Sequence, residues 1–67
     1  MVNTVELRKA RCSKGYFTSK GFAKELGLSY SSYRNRENGK VRFTASEIVK
    51  ICELLGMTLE EGMSILM

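Results

Sequence analysis

Between Tyr30 and Arg42 the chain reads YSSYRNRENGKVR, thirteen positions that hold two serines, two tyrosines, two asparagines, four cations and one carboxylate. Such a set suits hydrogen bonding to base edges and phosphate oxygens rather than the making and breaking of covalent bonds. The rest of the chain supplies no alternative chemistry. It has no histidine, and Cys12 and Cys52 are its only cysteines, far apart and without a CxxC pair. No GxxxxGK[ST] loop is present. A general base, a zinc site and a nucleotide cradle are therefore all missing, and no catalysis, metal or cofactor is expected. The two cysteines are expected to be free, buried thiols that pack as small apolar groups.

The charge is unevenly placed. Residues 1–42 carry ten Lys or Arg against three Glu, a surplus of seven positive charges, whereas residues 43–67 carry Lys50 alone against four Glu. A concentrated basic region attracts a phosphate backbone and releases its condensed counterions, which evenly mixed charge does not do. With 67 residues the chain is expected to form one domain, 1–67, because a core divided in two would bury too little apolar surface. Apolar residues at 43% suit a globular protein, and no run approaches the roughly 18 apolar residues of a membrane span. The N-terminal MVNTVELRK has no apolar signal core, so a cytoplasmic, nucleoid-associated location is expected, with no membrane partner. No separate effector domain is visible, and no small-molecule ligand is expected.

The elements that must position these side chains are helices. Proline is absent, strand-like alternation is absent, and apolar residues recur at helical spacing between glycine and hydroxyl breaks. Asn3 or Thr4 caps a first helix over 4–14, with Leu7, Ala10 and Lys14 on one face and Gly15 as its stop. Thr18 opens a second over 19–26, with Phe22, Ala23 and Leu26 as its apolar stripe, Gly21 weakening its first turn and Gly27 as a left-handed cap. Ser29 opens a third that runs to Glu37, where Asn38 and Gly39 break it; Tyr33 points inward and Tyr30 outward. Thr44 caps a fourth, in which Ile48, Ile51, Cys52 and Leu55 recur at i, i+3, i+4 and i+7 until Gly56. Thr58 begins a fifth with Leu59, Met63 and Leu66 on one side. Tyr16, Phe17, Phe22, Tyr33 and Phe43 are expected in the core or at its rim.

Two short helices joined by Gly27-Leu28-Ser29, the second rich in polar side chains and sharply stopped, have the layout of a helix-turn-helix over about 18–38. The ENGK of Glu37 to Lys40, preceded by GLSYSSYRN and followed by a capped amphipathic helix and LLGMTLEE, resembles the Cro/CI-type, lambda-repressor-like (XRE-family) helix-turn-helix proteins of phages and bacteria. The resemblance spans about residues 7–63. It implies an all-α, compact five-helix DNA-binding domain whose third helix enters the major groove.

Carried onto this chain, the resemblance puts Tyr30, Ser31, Arg34 and Asn35 against bases, where Asn suits adenine and Arg suits guanine. It puts Ser19, Lys20, Arg36, Asn38, Lys40 and Arg42 against phosphates. Serine at 19 is shorter than the glutamine common in the family, and Arg36 stands where many members carry an apolar residue. The resemblance also implies a structural ion pair between Arg11 and Glu37. A transcriptional regulator bound to double-stranded DNA follows, a repressor in the first instance. The apolar Leu59, Met63, Leu66 and Met67 suggest a homodimer, at least on DNA, since such proteins bind paired half-sites. The competing expectation is a protein-interaction module of the same fold that captures a larger repressor or polymerase without reading DNA.

Overall fold

A side-chain oxygen starts every helix in the computed structural model, which describes residues 2–67. Asn3 opens α1 (Thr4–Ser13), Thr18 α2 (Ser19–Leu26), Ser29 α3 (Tyr30–Glu37), Thr44 α4 (Ala45–Leu55) and Thr58 α5 (Leu59–Leu66). In each case the capping oxygen accepts a hydrogen bond from the backbone N–H three residues on, one of the donors a helix start leaves unpaired. In α4 and α5 a glutamate, Glu47 or Glu61, reaches back to the cap N–H at 2.9 Å and completes a capping box. No strand occurs among the described residues.

The core collects Leu7 of α1, Phe22 and Ala23 of α2, Tyr33 of α3, Phe43, then Ile48, Ile51, Cys52 and Leu55 of α4, and Leu66 of α5. A chain of rings crosses it: Tyr16 on Phe22, Phe22 on Tyr33 and Tyr33 on Phe43, with centroids 5.1, 5.6 and 6.3 Å apart in tilted and edge-on arrangements. Helix α5 packs against α4 and α1, and the Asn3 N–H donates to the Ile65 carbonyl at 2.6 Å to fasten the two ends of the chain. None of the helices in the described residues is long and apolar enough to cross a membrane.

Four expectations are corrected here. Phe17 is 75% exposed rather than core, because it stands in the α1–α2 connection one residue before the cap, while Tyr16 takes the place beside Phe22. Cys12 is free but exposed; the inward positions of α1 go to Leu7 and Arg11, and the next residue turns outward by about 100°. Leu66 is only 4% exposed and closes the core, which removes it from any surface. Helix α1 ends at Ser13, with Lys14 as its cap.

Two glycines have structural reasons that spacing alone does not reveal. Gly21 lies against the Thr18 capping oxygen, where a Cβ would stand 3.0 Å away. Gly62 is buried where α5 crosses α4, and a Cβ there would collide with the Cys52 thiol.

Candidate nucleic-acid interface

The turn between α2 and α3 is made by Gly27, whose φ of 74° is a left-handed backbone that glycine adopts without strain. There the Gly27 N–H returns to the Lys24 carbonyl and the Leu28 N–H to the Ala23 carbonyl, closing the end of α2. Leu28, half-buried against the core, pins the turn, and Ser29 opens α3 next to it. After α3 the chain turns at Gly39, with φ of 83°. The N–H groups of Lys40 and Val41 both donate to the Asn35 carbonyl, at 2.8 and 3.2 Å, and Phe43 anchors the far end of this loop in the core. The helix and the loop that follows it are thus held as one unit.

What seats α3 is a carboxylate. Glu37 is fully buried, and three helices converge on it. Its Oε2 accepts from the Tyr33 hydroxyl at 2.6 Å, and its Oε1 accepts from Arg34 at 3.2 Å and from the Ser19 hydroxyl at 3.5 Å. The Arg11 Nε of α1 lies 3.7 Å from Oε2, so the ion pair expected between these two residues is present as a charge contact. It is not a hydrogen bond: Arg11 Nε is buried without an acceptor, while Nη1 donates to the Tyr16 carbonyl at 2.9 Å. Burial, reinforced by the Glu37 carboxylate, pushes the Tyr33 phenol well above its ordinary value, so the hydroxyl stays a donor. The Thr4 hydroxyl adds a bond to the Glu37 carbonyl at 2.8 Å, tying the start of α1 to the end of α3. Sequence reasoning missed this role of Thr4, whose hydroxyl reads equally well as a local cap.

The ten side chains expected to touch DNA divide into two groups. Tyr30, Ser31 and Asn35 on α3, Lys20 on α2, and Asn38, Lys40 and Arg42 after α3 are exposed, and their side chains bond no other described residue. The remaining three are turned inward. Ser19, expected on a phosphate, is half-buried, with its hydroxyl 3.5 Å from Glu37 Oε1. Arg36, also expected on a phosphate, donates to Glu47 of α4 at 2.9 Å and to the Ser32 carbonyl at 3.0 Å. Arg34, expected on a guanine, lies instead on Glu37, with 42% of its side chain exposed. At about 100° per residue these two arginines occupy the flanks of α3, between the buried edge of Tyr33 and Glu37 and the outer edge of Ser31 and Asn35. Each flank therefore faces an acid of the protein.

Of the residues expected at a dimer contact, Leu59, Met63 and Met67 are exposed and Leu66 is buried. An open pocket of about 300 Å³ lies beside Leu66 and Met67, lined also by Val2, Val41, Arg42 and Phe43. A family model described as helix-turn-helix matches residues 7–62 of the chain. No curated protein matches it, and no solved structure does.

Proposed function

The chain belongs to the Cro/CI-type, XRE-family helix-turn-helix proteins, and from that premise we propose that it is a repressor of phage or mobile-element origin that acts by occupying an operator. The family is one of DNA-binding transcription regulators, not of enzymes, and its partner is double-stranded DNA. The observation that carries the reading is the division of polar groups on α3 and the loop after it. Tyr30, Ser31 and Asn35 are exposed and bond no other described residue, on a helix held from behind by Glu37. In this reading they meet base edges, while Lys20, Asn38, Lys40 and Arg42 hold phosphates and set the register.

The exposed Leu59 and Met63 of α5, with Met67 beside them, are the proposed contact between two copies, so that protein symmetry matches paired half-sites. Sedimentation at high micromolar concentration is expected to give a dimer that Met63→Lys dissociates without unfolding; a monomer would remove this part.

DNA binding itself is tested by titrating mixed duplex DNA at 50 and 200 mM salt. Affinity is expected to fall steeply with salt, and Lys40→Ala is expected to lower the slope by about 1 on every sequence. Absence of binding at both salts would leave the protein-capture function in its place.

A further inference from the structure

An arginine on a recognition helix ordinarily offers guanine the best bidentate match in the major groove, through O6 and N7. Here the only arginine near the outer edge of α3 is Arg34, and its Nη1 donates to Glu37 Oε1 at 3.2 Å. Glu37 has no freedom to follow an arginine that leaves. It is fully buried and held by the Tyr33 hydroxyl at 2.6 Å. Its second cation is held less closely. Arg11 comes no nearer than 3.7 Å and its Nε makes no hydrogen bond, so among the described residues Arg34 supplies the one hydrogen bond that the Glu37 carboxylate receives from a cationic side chain. Moving Arg34 to a base would leave a buried carboxylate without that bond, a large penalty in a low-dielectric interior.

The exposed side chains that α3 leaves unbonded among the described residues are Tyr30 in its first turn and Ser31 and Asn35 on its outer edge. The Asn35 amide matches adenine N6 and N7, a tyrosine ring packs on a thymine methyl, and a serine hydroxyl accepts any base. None is a cation, and the unbonded cations that follow α3 in the chain, Lys40 and Arg42, belong to the loop beyond the helix. The geometry points to duplex DNA whose half-sites are read by α3 through A·T pairs, with the buried Glu37 carboxylate withholding Arg34 from guanine. This specificity rests on the DNA-reading function proposed above.

The test is selection of bound sequences from a random duplex pool with the wild-type protein, Arg34→Ala and Asn35→Ala, followed by titration of the winners, folding being checked by circular dichroism. The wild type is expected to select half-sites with A·T pairs at the positions α3 meets. R34A is expected to select the same sequences with affinity lowered less than about threefold, as for an exposed charge, whereas N35A loses one adenine preference worth roughly 5- to 150-fold. A selected guanine that becomes indifferent in R34A, with a loss in that 5- to 150-fold range confined to sites carrying it, overturns the inference and leaves the DNA-reading function intact. Failure of the wild type to enrich any sequence overturns both.

Discussion

Helices α3 and α4 both begin at a hydroxyl cap and are similar in length, eight and eleven residues, yet they are held in the protein by different forces. Helix α4 drives Ile48, Ile51, Cys52 and Leu55 into the core, a full apolar stripe against α2 and α5. Helix α3 buries only Tyr33 and Glu37, and its hold depends on hydrogen bonds and charge around one carboxylate. The contrast shows how a helix keeps a polar outer face for a partner without drifting. Apolar burial is proportional to area and lacks direction, whereas the Glu37 contacts fix α3 at named atoms to α1 and α2. A recognition surface needs that kind of precision, and α4 needs only to fill volume.

The comparison is broken most severely at Glu37. Replacing it with alanine leaves Arg11 buried without a counter-charge and the Tyr33 hydroxyl without an acceptor, and the expected loss is roughly 3–5 kcal/mol in urea unfolding. Ile51→Ala, in the fully apolar setting of α4, is expected to lose about 2–5 kcal/mol through transfer and cavity terms. The two differ in salt response: the Ile51 loss is expected to be unchanged between low and high salt, and a salt-sensitive Ile51 loss would undo the distinction. Gly62→Ala comes next, at roughly 1–3 kcal/mol, because the new methyl meets the Cys52 thiol. In a Cys52→Ala background that loss should largely vanish, and persistence of the full loss would place the obstruction elsewhere.

The smallest expected effect concerns the bond that joins the two compared helices. Burial alone raises the pKa of Glu47, but the Thr44 backbone N–H and the Arg36 guanidinium outweigh it and hold the carboxyl below its ordinary value. A carboxylate with a depressed folded value stabilises the protein above the ordinary carboxylate range, and that stability is lost as pH falls through the folded value. On acidification from about pH 5 to pH 3, the wild type is therefore expected to lose about 1 kcal/mol more than Arg36→Met. Equal losses in the two proteins would show that the α3–α4 bridge carries no net energy.

Much of the helical frame was legible before any coordinates. Asn3, Thr18, Ser29, Thr44 and Thr58 cap helices because a short side-chain oxygen answers a purely local need, the unpaired N–H groups of a helix start. The stripe of Ile48, Ile51, Cys52 and Leu55 is likewise a local periodicity. The outward set on α3 was only partly legible. Tyr30, Ser31 and Asn35 are exposed, whereas Arg34 and Arg36 read as free cations: Glu37 was assigned to Arg11 alone although it lies one turn from Arg34, and nothing local marks the acid that Arg36 meets. Arg36 meets Glu47 eleven positions away in sequence.

By itself the sequence determined the five helices, the caps of the last four, the glycine turn at Gly27 and the family, since each follows from neighbours within a turn or two or from an ordered motif. Tertiary structure alone decided which polar groups remain available. Ser19 and Arg11 come to Glu37 from other helices, Cys12 and Phe17 are turned to solvent, and Gly62 is required by a thiol ten residues before it. The physical reason is that a side chain's partner is chosen by the packing of whole helices, which brings together charges and volumes that the order of the chain keeps apart.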